Sequence, residues 1–182
     1  MPISFKLGLS LILSVVITLL CGTIYIAVHQ NYRQSANDPQ VQISESVAGM
    51  LSRGEDLTSI LPEQKADLNG SLATFIIVYD DSQNPTVSTA QLDGQTPELP
   101  KGVLDFAKEN GQNRVTWQPK AGVRIAAVVT RYDKGYVLAG RSIREVESRI
   151  KMLTKQLASA WFVTMTIAFI GVWFLIPKNK SH

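Results

Sequence analysis

The chain has 182 residues, 45% of them hydrophobic, and a net charge of +3 from 18 Lys/Arg against 15 Asp/Glu. That surplus sits in Lys6, Lys178 and Lys180 on the short ends, while residues 29–156 carry 15 charges of each sign. A sequence pI near 9 without a basic face or aromatic–basic interleaving therefore gives no sign of nucleic-acid binding.

Residues 7–28 form a charge-free apolar run, and residues 157–176 form another, with Trp161 and Trp173 near its ends. At about 1.5 Å per residue each is long enough for a hydrocarbon core, and tryptophans favour the interface. A cleaved signal peptide fits the first run less well. Its n-region holds one lysine, the run exceeds the usual h-region, and Ala27 follows Tyr25 rather than a small residue. Cys21, the only cysteine, lacks the small residue before it that lipoprotein processing needs, and it permits no internal disulfide. An uncleaved anchor is expected. Short basic ends stay in the cytoplasm, which places both termini inside and the middle outside, although Lys151 and Lys155 weaken the inference.

The expected organisation is a cytoplasmic N-terminus 1–6, a first span 7–28, an extracytoplasmic domain 29–142, a juxtamembrane helix 143–156, a second span 157–176 and a cytoplasmic tail 177–182. In "SANDPQVQISESVAGMLSRG", Asp38 and Pro39 start a helix, Ile43, Val47, Met50 and Leu51 share a face, and Gly54 stops it. Tyr32 and Ser35 extend the first span towards a break at Pro39. "LTSILPEQKADL" reads as short helical pieces around Pro62. "LATFIIVYDD" and "TVSTAQL" are strands joined by the turn "DSQNP". "PKGVLDFAKENG" is a short helix from Pro100 to Gly111, with Val103, Leu104, Phe106 and Ala107 on one face. The strands "NRVTWQP", "GVRIAAVVTRYD" and "GYVLAGRS" follow, turning at "PKAG" and "DKG". The fold class is α+β: a five-stranded antiparallel sheet with flanking helices on one side, between two transmembrane helices.

This order, together with "IIVYDDSQNPTVSTAQLDG", "GVLDFAKENGQNRVTWQP" and "VLAGRSIREVESRI", resembles the extracytoplasmic PAS-like (single Cache) sensor domains of bacterial two-component sensor proteins. The resemblance covers most of residues 31–156. It implies a two-pass protein of the bacterial inner membrane whose outer domain senses a ligand or an envelope state and signals to a partner such as a histidine kinase. Those chains usually continue into a HAMP and kinase or receptor module, whereas only Pro177 to His182 follow the second run here. PAS-like folds hold small molecules between the sheet and its cover. Trp117, Arg124 and Tyr79 are the candidate ligand residues, each with a plainer alternative as packing or a solvated cation. Val123, Ile125, Ala127 and Val129 alternate with Arg124, Ala126, Val128, Thr130 and Tyr132, so both faces of that strand are apolar in the middle.

Catalytic signals are few. The chain lacks G-x-x-x-x-G-K-[ST], G-x-S-x-G and H-E-x-x-H, and its two histidines, His29 and His182, lie at a membrane boundary and at the terminus. The adjacent Asp80 and Asp81 point to opposite faces of a strand and suit turn capping. No enzyme activity, metal or cofactor is expected. A structural or assembly module of the envelope without a ligand is the alternative function. Finally, Ile143, Val146, Ile150, Leu153 and Leu157 are spaced 3, 4, 3 and 4, an a/d seam with Glu147 and Lys151 as an i, i+4 pair. It runs without Gly or Pro into the second span. The expectation is a homodimer or an association with a membrane signalling protein through residues 143–157 and the spans; an amphipathic helix folded on its own domain is the other reading.

Overall fold

A computed structural model describes residues 3–35, 38–57, 61 and 64–175. The end of the second run at Ile176, the tail 177–182 and the segment immediately around Pro62 lie outside the described residues. In chain order the elements are α1 (Ile3–Ser35), α2 (Asp38–Ser52), β1 (Ala66–Asp67), β2 (Phe75–Asp80), β3 (Pro85–Ser88) and β4 (Ala90–Gln91). Then come α3 (Val103–Asn110), β5 (Gln112–Lys120), β6 (Val123–Tyr132), β7 (Gly135–Ser142) and α4 (Arg144–Leu175).

The chain divides into two compact units. One holds residues 33–147, and the other combines residues 1–32 with 148–182.

The first unit is built on a five-stranded antiparallel sheet in the order β3-β2-β7-β6-β5. β7 thus lies in the middle although it is last in sequence. Alternation along the strands makes two interiors. One face presents Phe75, Ile77, Tyr79, Ile125, Ala127, Val129, Tyr136 and Leu138, sealed by Val103, Leu104 and Ala107 of α3. The other presents Val78 and Val137, covered by Val47 and Ala48 of α2 with Leu57. Helices therefore cover both faces, not one side as the sequence reading had it. The reason is visible in β6, whose two faces are both apolar and so need two covers.

Local chemistry sets the helix ends. α2 closes on Gly54 at φ 76°, with Gly54 N–H donating to the Leu51 carbonyl and Glu55 N–H to that of Met50, a Schellman arrangement that favours glycine. Its buried stripe is Gln40, Ser44, Val47 and Ala48, while Ile43, Met50 and Leu51 are half-buried at its margins. α3 buries Val103, Leu104 and Ala107, but Phe106 is exposed rather than inward. An eight-residue helix lying flat on the sheet has room for a narrow stripe only.

The expected strand "TVSTAQL" divides in two. β3 pairs with β2, and β4 pairs in parallel with β1, which falls in the stretch read as helical. Thr89 makes the division. Its backbone and hydroxyl both bond to Ile76, and its carbonyl accepts from Ala66 N–H at 2.7 Å.

The second unit is an antiparallel helix pair. Thr18 meets Trp161, whose indole N–H donates to the threonine hydroxyl at 3.1 Å. Lys6 meets the far end of α4, with its Nζ donating to the Trp173 carbonyl at 3.2 Å and lying 5.9 Å from that ring. Phe5–Tyr32 and Arg144–Phe174 are both long and apolar enough to cross a membrane, and almost none of their most apolar stretch is buried within the protein. Neither behaves as a core helix of a globular domain.

Candidate functional site

A cleft of about 360 Å³ opens on the α3 face of the sheet. β2 brings Tyr79 to its floor, the β2–β3 turn brings Gln83 and Pro85, and the segment Thr96–Gly102 forms the far wall, closed by Leu104 of α3. Each wall is fixed. Gln83 Nε2 donates to Asp105 Oδ1 at 2.6 Å, which ties the turn to the helix. Leu92 and Gln95 exchange backbone hydrogen bonds around the Asp93–Gly94 turn, and Lys120 Nζ holds both carboxylate oxygens of Asp93 at 2.8 and 2.9 Å. Hydrogen bonds from Lys120 and then Asn69 keep the Asp93 carboxyl below the ordinary carboxylate range, although the group is exposed.

Tyr79 is 5% exposed, and burial pushes its phenol well above the usual range. At neutral pH it is an un-ionised hydroxyl at the floor of a cleft whose walls mix prolines and leucines with Gln83, Thr96, Glu98 and Lys101. Tyr136 stands opposite it in register on β7 and is fully buried, its hydroxyl finding no partner among the described residues. The Arg131 guanidinium lies 5.8 Å from the Tyr136 ring and 3.7 Å from Asp81 Oδ1. The adjacent pair Asp80 and Asp81 indeed does separate work: Asp80 Oδ1 accepts from Asn84 N–H in the turn, while Asp81 faces Arg131.

The three ligand candidates do not converge. Tyr79 lines the cleft. Trp117 is on the same face but opposite Ile125, towards the other end of β6, and is buried in the core with an indole N–H that has no partner among the described residues. Arg124 lies on the α2 face, exposed, and pairs with Glu147 of α4. Alternation explains the split: Arg124 is even-numbered on a strand whose odd positions face α3. The residues missed from sequence are Gln83, Asp105 and the Thr96–Gly102 wall, whose only signal is the proline pair and glycine of "TPELPKG".

Arg124 belongs instead to a second cluster at the root of α4. Ile143 N–H donates to the Arg124 carbonyl at 3.1 Å, Arg141 reaches Glu145 and the Leu72 carbonyl, and Arg144 Nη2 donates to the Asn69 carbonyl at 2.7 Å. Ser142 and Arg144 are separated by one residue, so β7 enters α4 without a turn.

All five positions of the expected seam are half-buried. Ile150, Leu153 and Leu157 line an apolar groove of about 240 Å³ together with Ile24, Val28 and His29 of α1. They thus face a helix of their own chain.

Among the described residues, no three His, Cys, Asp or Glu side chains lie close enough to hold a metal ion. No family model, curated protein or solved structure matches the chain.

Proposed function

We propose that this protein is a membrane-anchored sensor-like domain of the bacterial inner membrane. It lies outside the membrane between two spans with both termini inside, and passes a ligand or envelope signal to a separate membrane signalling protein such as a histidine kinase. The observation that carries the reading is the passage from β7 into α4. The central strand of the sheet continues, with no turn, into a helix that runs unbroken to Leu175. Ion pairs and backbone bonds from Arg124, Arg141 and Arg144 fasten the helix root to the domain. A ligand in the cleft would touch Tyr79, the cross-strand neighbour of Tyr136 on that same β7. The resemblance of most of residues 31–156, in sequence phrases and element order, to PAS-like sensor domains supports the same reading.

Two measurements test it. A cytoplasmic reporter fused after His182 is expected to be active and an exported-only reporter silent; the opposite pattern overturns the topology. For coupling, the full-length protein is crosslinked in membranes and its partner identified by mass spectrometry. One alanine inserted after Ile150 rotates everything beyond it by about 100° and is expected to abolish the crosslink, whereas seven alanines restore the phase and largely preserve it. Equal behaviour of both insertions would mean that α4 is only a tether.

A further inference from the structure

We infer that the groove between α1 and α4 holds one anionic phospholipid, with an acyl chain along Ile24, Val28, Leu153 and Leu157 and the phosphate at the end marked by His29 and Arg149. The inference rests on the reading of both helices as spans, because a bilayer is what delivers such a ligand sideways into a groove.

Three observations favour this occupant. The first is the void itself. About 240 Å³ remains where the two helices do not close on each other, and its walls are almost wholly apolar. The Thr154 hydroxyl is already committed to the Ile150 carbonyl at 2.8 Å, leaving little to retain water there. The apolar lining of the groove suits a hydrocarbon chain rather than a hydrated ligand.

The second is polarity along the groove. The helices are antiparallel, so the deep end is Ile24 with Ala160, and the end nearer residues 33–147 in sequence is His29 with Ile150. The imidazole of His29 stacks at a tilt on Tyr25, ring centres 5.7 Å apart. An apolar bottom beneath an aromatic and imidazole collar reproduces the order of tail and headgroup in an outer leaflet.

The third is charge. Among the described residues, no Asp or Glu lines the groove. Arg149 is exposed and stands one turn outward of Leu153, in the column that leads down to Gln156; it has an interaction of its own within the chain, and its five N–H donors allow a further contact. A guanidinium beside a slot between spans suits a phosphodiester headgroup. Because the chain would contact Ile150, Leu153 and Leu157, its presence would fix the spacing of α1 and α4 directly beyond the root of α4.

The test uses the full-length protein in detergent, delipidated and reloaded with dioleoyl-phosphatidylglycerol or dioleoyl-phosphatidylcholine, with retained lipid counted by native mass spectrometry. The wild type is expected to keep one phosphatidylglycerol, preferred about tenfold, the ratio that one charge-assisted contact supplies. Leu153→Trp, which fills the groove with apolar bulk, should lose both lipids; Ala160→Leu, a milder filling at the deep end, should weaken both. The double variant His29→Gln/Arg149→Gln should retain a lipid but lose the preference. Undiminished retention in both filled variants, or equal retention of the two lipids by the wild type, overturns the inference. If the His182 reporter shows the expected topology while the filled variants still bind, this site alone fails and the two-span reading stands.

Discussion

The two faces of the sheet are closed in different ways. Under α3 the interior is continuous and apolar, with Phe75, Ile77, Ile125, Val129 and Leu138 among its buried members. Under α2 the stripe begins with Gln40 and Ser44, both buried, and Ser44 Oγ shares a 2.8 Å hydrogen bond with Thr130 Oγ1. Gln112 Nε2 bridges from β5 to Glu45 at 3.0 Å and approaches the same threonine hydroxyl. Polar contacts in a buried seam specify position but contribute less per residue than close apolar packing, since each exchanges for water on separation. The α3 face is the core that makes the domain fold, and the α2 face is the interface better suited to be re-set.

Substitutions that discriminate the faces should rank accordingly in equilibrium denaturation. Leu138→Ala or Ile77→Ala, each fully buried on the α3 face, is expected to cost about 2–5 kcal/mol. Gly140→Ala tests the same face by overfilling. A methyl there would stand 2.4 Å from Phe75 Cζ, and about 1–3 kcal/mol is expected. On the other face, Val47→Ala removes the equivalent of two methylenes, about 1.5 kcal/mol. If Val47→Ala were as damaging as Leu138→Ala, the distinction between the faces would collapse.

Two smaller effects sharpen it. Ser44→Ala is expected to cost about 1 kcal/mol, because Thr130 keeps its neighbour Gln112 and is not orphaned. The smallest effect belongs to Asp93, at the foot of the cleft wall. Its folded pKa is depressed, so its contribution is present above the ordinary value of 3.8 and lost as pH falls through the lower folded value. The melting-temperature gap between wild type and Asp93→Asn should therefore be constant above about pH 5 and narrow below 3.8. Salt should reduce it, as befits an exposed pair. A gap that widened in acid would assign the carboxylate a different partner.

Much of this architecture is written in local sequence. "DKG" turns β6 into β7, Gly54 and Gly111 end their helices, and the five strands of the sheet follow from alternation and turn chemistry, whereas the placing of β7 beside β2 rests on a partner more than fifty residues away. What is not written locally is what depends on distant partners. β1 and β4 are two residues each, and their parallel pairing is organised by Thr89, far below the length at which a pattern emerges. Phe106 has the helical spacing of a core residue but lies beyond the width that α3 presents to the sheet. The seam from Ile143 to Leu157 has the right period, yet a period names a face and not its partner: Ile150, Leu153 and Leu157 meet α1 of the same chain. Of the three ligand candidates only Tyr79 reaches the cleft, because the opposing wall is an aperiodic loop.

The central place of β7 also governs how the domain assembles. Until residues 135–142 are available, β2 has only the four-residue β3 to pair with, and its other edge exposes "FIIVY" as an unpaired, uncharged and β-prone segment. The missing partner arrives more than fifty residues later, as the last element before α4, and the intervening loop must be closed before the pairing is rewarded. Gly135 then has to fit against the Tyr79 carbonyl, where a methyl would come within 2.0 Å. A chain in which β7 has not yet paired leaves that apolar edge of β2 open to other copies. The strand that closes the sheet is also the one that leads into α4.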